Sequence, residues 1–536
     1  MSSVLPDMPF WQVLIVLAPA FVMATTAVFA GRQVAQAWQR ARIATVLTLA
    51  VTATGIGVAL AEGQGARFWV RADVLTYVMT SLVAFVGWVI IRYSRTYLSG
   101  EPGQTRYIRW LAAVLASVLL VVASNHMALL VLGWMATSLS LHRLLTFYRE
   151  RPSAVLVAHK KFIVSRLADI LMIVATVLVY TTYGTLHIDQ MLVKASEQVT
   201  TSGQLAALLI VLAVMLKCAQ LPFHGWLIQV MEAPTPVSAL LHAGIVNLGG
   251  FVLMRFASLL SQAPLAMSLL VVGGTLTAVI AALVMTTRVS VKVMLAWSTC
   301  AQMGFMILQC GLGLWGMALL HLVAHSCYKA YAFLDANSMV QLTMMRRLRR
   351  AREAAPPVSL LVGAVVAVAV TIVAGTLVTQ RLIQHEETAS LFVMAVILAM
   401  ALVPLLVAGS GDRSHAKGAH GLIIYARAAA VSFALAMVYF ALHALLHGRV
   451  APSSALPELS LWWFVAASFI GLFALQSHVF SGQRTDLSTR LYPWFYGGFF
   501  LDEKFNQLAF KIWPLPREGK AVAIEPTAVT AVEART

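Results

Sequence analysis

The sequence predicts an all-α polytopic membrane protein of about fifteen transmembrane helices. Three observations carry that prediction. First, 60% of the 536 residues are hydrophobic and only 11% are charged, whereas a globular domain is about 25% charged and about 45–50% apolar. Second, apolar runs of roughly 20 residues, long enough for a bilayer core of about 30 Å, recur along the chain. Third, the Lys and Arg residues come in short bursts between those runs. The net charge of +17 would suit a nucleic-acid binder, but the bursts form neither a groove stripe nor an RNA-type motif. They follow the positive-inside pattern of membrane loops. A soluble fold of this composition is excluded.

The first run, 9–30, is too long for a signal h-region and has no basic segment before it, so it is read as a retained helix. The runs 43–61 and 74–91 complete an N-terminal group within 1–107. A second group, 108–260, holds 108–124, 127–147, 162–182, 204–232 and 236–260. A third, 261–410, holds 265–286, 293–310, 314–340, 358–380 and 389–409. The runs 422–447 and 461–480 close the membrane part within 411–480. With the N-terminus outside, alternation places most of the 38 Lys and Arg residues inside, including Lys160, Lys161 and the cluster from Arg346 to Arg352. Arg255 and a few others fall outside. One span more or fewer would scramble that asymmetry, so the C-terminus is placed inside. The remaining stretch, 481–536, is a tail whose aromatic part from Leu491 to Phe505 is amphipathic, while Val522 to Thr536 is expected to be disordered. Cys218, Cys300, Cys310 and Cys327 lie in apolar stretches without a CxxC, so they read as small buried residues rather than metal or redox ligands.

Ionisable groups inside spans cost several kcal/mol unless paired or hydrated, and each is a functional candidate. The run 204–232 is too long for one straight helix, and Pro222 in its middle removes a backbone donor, so a discontinuous helix broken near Leu221-Pro222 is expected. Lys217 stands just before that break. A buried lysine can take up and release a proton. His224 follows the break. Thr235 and Pro236 are read as N-cap and first residue of the next helix, which carries His242 two turns in. A neutral imidazole there either relays protons or is a hydrogen-bonded core group. His321, His325 and Lys329 fall at i, i+4 and i+8, on one helix face. The His-x3-His pair lacks a third ligand for a metal, which leaves a proton relay or structural polar packing. Arg166 and Asp169, at i and i+3, either pair with each other or set Asp169 against Lys217. Asp335 reads as an end-of-helix anchor and Arg427 as a snorkelling residue.

The segment Lys217-Cys-Ala-Gln-Leu-Pro-Phe-His-Gly-Trp-Leu, followed by Met231-Glu-Ala-Pro-Thr-Pro-Val-Ser-Ala-Leu-Leu-His242, closely resembles the proton-conducting membrane subunits of respiratory complex I and of Mrp-type antiporters. Lys161-Phe-Ile-Val-Ser-Arg-Leu-Ala-Asp169 and His321-Leu-Val-Ala-His-Ser-Cys-Tyr-Lys329 support the resemblance, which covers roughly 70–340 well. It implies two inverted five-helix repeats, here 108–260 and a degenerate 261–410, and a hydrated chain of titratable groups including Lys217, His242, His321, His325 and Lys329. The sequence departs from the family in three places. Met135 stands where the family has a glutamate after Gly-Trp, 358–380 has neither a lysine nor a breaking proline, and the long lateral helix is absent.

A narrower resemblance rests on His242-Ala-Gly-Ile-Val-Asn-Leu-Gly-Gly-Phe-Val-Leu-Met-Arg255 and on Tyr492-Pro-Trp-Phe-Tyr-Gly-Gly-Phe-Phe-Leu-Asp-Glu-Lys-Phe. Both are similar to the membrane subunits of two-part bacterial inorganic carbon accumulation complexes. That resemblance implies proton or sodium flow through this subunit and CO2 hydration on a soluble zinc partner similar to a β-carbonic anhydrase. No cofactor is expected in this chain and no catalysis. The alternatives are a proton-pumping subunit of complex I or a membrane hydrogenase, and a Mrp-type cation/proton antiporter subunit. Within the tail, Trp494, Phe495, Tyr496, Phe499 and Phe500 are candidates for docking the partner, or for lying on the membrane surface, with Asp502, Glu503 and Lys504 then facing water.

Overall fold

The computed structural model describes residues 6–148, 150–336, 357–382, 395–403, 419–446, 459–480 and 486–513, with a few isolated positions between them. The basic cluster from Arg346 to Arg352 and the tail beyond Trp513 lie outside the described residues.

Helices α1 (Phe10–Val28) and α2 (Val34–Glu62) lead into a hairpin in which Gly65–Arg67 pairs antiparallel with Val70–Ala72. Then come α3 (Val74–Tyr97), α4 (Gln104–Ala123), α5 (Met127–Leu145), α6 (Pro152–Tyr183), α7 (Ile188–Glu197) and α8 (Thr201–Lys217). Short pieces α9 (Gly225–Ile228), α10 (Thr235–Ala243), α11 (Leu248–Arg255) and α12 (Ala257–Leu260) precede the long α13 (Pro264–Met285), α14 (Val291–Gly311) and α15 (Trp315–Leu334). The chain continues through α16 (Pro357–Leu382), a helical segment at 395–403, α17 (Ala419–Leu446), α18 (Leu459–Phe480), α19 (Asp486–Tyr496) and α20 (Leu501–Ile512). Where the runs fall on described residues they lie on helix, apart from the interruptions within 204–232 and 236–260. Among the described residues, ten helices are long and apolar enough to cross a membrane, and Thr201–Lys217, Val362–Val378 and Ser460–Gln476 are shorter apolar ones.

Several helices begin earlier than the apolar runs. Arg40 and Arg42 lie in α2, and Arg106 and Arg109 in the first turns of α4, because helices extend beyond the apolar slab and carry their basic residues with them. Two readings need stronger correction. Lys160 and Lys161 are not in a loop: α6 starts at Pro152 and both are buried. Arg255 is not an exposed loop residue either. It ends α11 and its Nη1 donates to Asp73 Oδ2 at 2.6 Å. Asp73 caps α3 by accepting from Thr76 N at 2.8 Å and takes a second guanidinium from Arg71 at 2.7 Å. Burial alone would raise the Asp73 carboxyl, but Arg255, Arg71 and the Thr76 hydrogen bonds outweigh it and hold the group well below the usual carboxylate range.

The break at Pro222 is present and begins at Lys217. Cys218 and Ala219 leave helical geometry, Ala219 with φ +53°, and the Leu221–Pro222 peptide is cis. The next helix starts one residue earlier than expected. Pro234 is extended, Thr235 opens α10 without capping it, and Pro236 sits in the first turn. A second interruption was not foreseen. The run 236–260 breaks at Gly244–Asn247, where Asn247 Nδ2 donates to Ala243 O at 3.0 Å and to Ser326 Oγ at 2.7 Å. His242 thus ends a helical piece, as Lys217 does. By contrast, α16 is one continuous helix, as the absence of a proline implied.

The main core is formed by the helices from α1 to α15. A smaller cluster joins α13 and α14 to α16–α18 through residues such as Leu308, Phe440 and Phe469. Where α13 crosses α14 the backbones touch: a Cβ on Gly274 would stand 2.7 Å from Gly304 O. Cys218, Cys300 and Cys310 are buried as expected, but Cys327 is exposed on α15. Sequence hydropathy cannot separate contact with protein from contact with lipid.

Candidate functional site

Two groups of buried charges and imidazoles flank the interrupted helices. The first surrounds the end of α8. Lys217 is buried, its Nζ donates to Trp134 O at 3.1 Å and sits 4.1 Å from the centroid of the Trp134 ring. Asp169 Oδ1 of α6 stands 4.0 Å from the same Nζ. The other carboxylate oxygen is 2.6 Å from Arg166 Nη2, one turn earlier on α6. The two readings of Asp169 are therefore both realised: it pairs with Arg166 and faces Lys217. Met135 only packs against the core, so the carboxylate opposite Lys217 comes from α6 rather than from α5.

Lys161 belongs to this group and was missed. Its buried Nζ donates to Ser138 O at 2.7 Å and to Ser138 Oγ at 2.8 Å. The signal was available. Ala154, Val157, Ala158, Lys161, Val164, Ser165, Ala168 and Met172 are buried at helical spacing, and Lys161 falls on that face.

The second group lies on α15. His321 Nδ1 meets Gln309 Oε1 at 2.9 Å, and the rings of His321 and His325 are 6.0 Å apart, so the predicted stripe is real. Lys329 is fully buried and its Nζ donates to Leu295 O at 3.1 Å and Ser298 Oγ at 2.7 Å. His242 faces α15 and stacks on Phe333 at 4.4 Å between ring centroids. Neither ring nitrogen of His242 or His325 has a protein partner among the described residues. Buried polar groups are normally hydrogen-bonded, so these nitrogens suit exchange with water.

His224 is set apart from both groups. Its Nδ1 contacts Pro222 O at 3.2 Å and its ring lies 4.9 Å from that of Trp297. Asp335 terminates α15, and Arg427 is exposed on α17. Of the tail aromatics, Trp494, Tyr496 and Phe500 are exposed, while Phe495 is buried in the chain's own core and Phe499 packs beside it. Among the described residues, no cluster of His, Cys, Asp and Glu could hold a metal.

Comparison with known proteins assigns this helix bundle to the antiporter-like membrane subunits. Residues 124–353 match the family described as "NADH:quinone oxidoreductase/Mrp antiporter, TM", and residues 64–108 match "NADH-Ubiquinone oxidoreductase (complex I), chain 5 N-terminus". The fold is similar to the Mrp complex from Dietzia sp., with a TM-score of 0.62 at 22% identity, covering 92% of this chain and 59% of that one. Two relatives narrow the assignment. The "Probable inorganic carbon transporter subunit DabB" of Hydrogenovibrio crunogenus is 54% identical over 286 residues, 53% of this chain and 55% of that protein. The "Probable inorganic carbon transporter subunit DabB2" of Halothiobacillus neapolitanus is 39% identical over 459 residues, 83% of this chain and 80% of the relative. The chain belongs to the family of DabB inorganic carbon transporter subunits, within the complex I and Mrp antiporter-like proteins. The first of these matches spans only about half the length of either protein.

Proposed function

We propose that the chain is the cation-conducting, specifically proton-conducting, membrane subunit of an energy-coupled inorganic carbon uptake complex in a bacterial inner membrane. The observation that carries the reading is the Lys217 ammonium at a helix break, 4.0 Å from a carboxylate that Arg166 also binds. Such a carboxylate has two positions. Toward Lys217 it holds the cation there; toward Arg166 it leaves Lys217 free to give up its proton. His242, His325 and His321 offer imidazoles that pass protons through hydrogen-bonded water, and Lys329 ends the stripe. The names of the relatives supply the carbon substrate. A soluble, DabA-like zinc subunit would hydrate CO2 to bicarbonate, driven by the ion flow. Catalysis and zinc belong to that partner, and this chain binds no cofactor. The N-terminus faces the periplasm and the tail the cytoplasm, where bicarbonate is delivered.

The test is Lys217→Ala in cells whose growth at air CO2 depends on the complex. Growth is expected to be lost while the complex still assembles. Lys217→Arg should also fail, because a guanidinium keeps its proton at every accessible pH. Unchanged growth with Lys217→Ala would overturn the reading.

A further inference from the structure

The segment between the break and α10 is closed on one side by the tail. Lys160 of α6 is fully buried, and among the described residues its acidic partner comes from the tail. Its Nζ donates to Gln229 Oε1 at 3.0 Å, to Asp502 Oδ1 and Oδ2 at 2.9 and 3.0 Å, and to Asn506 Oδ1 at 2.5 Å. Asp502 and Asn506 both lie on α20. Gln229 Nε2 in turn donates to Asp502 Oδ2 at 2.7 Å. One carboxylate therefore ties together α6, the chain after the break, and the tail.

The local sequence is fitted to that approach. Gly225 opens α9 directly against Asp502, and a Cβ there would overlap the carboxylate. Phe499 and Phe500 both adopt positive φ, +57° and +58°, at the turn that leads into α20, which packs against α6 and Phe223. Bulky residues hold that conformation only where their surroundings impose it. Phe505 meets Phe223 edge to face at 6.0 Å, and Trp513 stacks on His159 at 3.8 Å.

We propose that Asp502 is a positioning residue for the broken helix: the tail delivers the carboxylate that neutralises Lys160 and, through Gln229, holds residues 218–232 so that Lys217 is presented to Asp169. α6 carries both Lys160 and Asp169, and the 218–232 segment follows directly on Lys217 and contains Gln229, so the network fixes both sides of the Lys217–Asp169 pair. Its consequence for ion flow rests on the transport reading above. The docking of α20 does not.

The experiment uses the full chain in nanodiscs, with backbone hydrogen exchange across 218–232, and in the assembled complex, with ion flux. Asp502→Lys and Gly225→Ala should each raise exchange in that segment about tenfold and lower flux by a similar factor. The double variant Lys160→Asp/Asp502→Lys, which reverses the pair, should bring both back to within about threefold of the starting protein. Unchanged exchange in Asp502→Lys and Gly225→Ala overturns the proposal. So does raised exchange with unchanged flux, because Asp502 then holds the tail without positioning the ion path. If Asp502→Lys fails to insert, Gly225→Ala decides, since it displaces the carboxylate without changing any charge. If the unsubstituted complex itself carries no flux, the transport reading has failed, and exchange in the single and reversed variants alone decides the docking.

Discussion

Replacing Asp169 by asparagine removes one charge and little else. The amide keeps the size of the carboxylate and can still hydrogen-bond, so packing on α6 is retained. What is lost is the anion 4.0 Å from Lys217 Nζ and 2.6 Å from Arg166. At 4 Å two unit charges attract by about 4 kcal/mol with an effective dielectric constant of about 20. Arg166 shares the carboxylate and lies closer, so about half of that, roughly 2 kcal/mol, is the part that favours a cation at Lys217. Raising the barrier for passage of a cation by that amount slows flux about 30-fold. The assay is proton flux into proteoliposomes containing the complex, read with a pH-sensitive dye and normalised to inserted protein. Asp169→Glu should retain much of the flux, because the charge remains. Flux in Asp169→Asn within about twofold of the parent would refute the argument, since no reasonable dielectric makes a buried pair at this distance worth so little.

Other outcomes follow from the same geometry. The depressed Asp73 carboxyl contributes stability that is present above its unfolded value of about 3.9 and is lost as pH falls through the lower folded value. Arg255→Met removes its shorter guanidinium contact, so acid loss of structure should begin at higher pH, with about 3 kcal/mol lost near neutrality; melting in detergent across pH checks both, and an unmoved acid midpoint counts against the assignment. Trp494→Ala with Tyr492→Ala alters exposed aromatics ahead of the fold-back, so membrane insertion should persist while a soluble partner is no longer retained on purification; full retention would leave only a membrane-surface role for that face. The purified chain should show no flavin, haem or iron absorbance, and a stoichiometric cofactor would sink the reading of it as a non-catalytic subunit.

The helices were legible because a bilayer sets a length and a polarity that the sequence must meet, and among the described residues ten helices meet it. Lys217, Pro222 and the His321–Lys329 stripe were legible for the related reason that a charge or a proline in mid-span has few structural excuses. The misreadings share a cause. Lys160, Lys161 and Arg255 stand near helix ends, where a charge is normally solvated. Here each is buried against a partner outside its own helix, and the half-buried Asp502 that meets Lys160 is 342 residues away. The break at Gly244–Asn247 has no proline to announce it, only one glycine and one asparagine that a membrane helix also tolerates. Phe495 and Phe499 could not be told from Trp494 and Phe500 by composition, because which ring turns inward is decided by the fold-back at 499–500.

The contact between α13 and α14 decides which parts of the bundle can move. With Gly274 against the carbonyl of Gly304, the two backbones are already in touch and no side chains lie between them to change rotamer. Sliding one helix along the other would drive a neighbouring Cβ into that carbonyl, so the pair behaves as a rigid beam. Any displacement then falls on the interruptions 218–224 and 244–247, where the backbone leaves regular α-helical geometry. Lys217 and His242 sit beside those two points. Those two side chains sit at joints of the backbone, and the wall beside them has none.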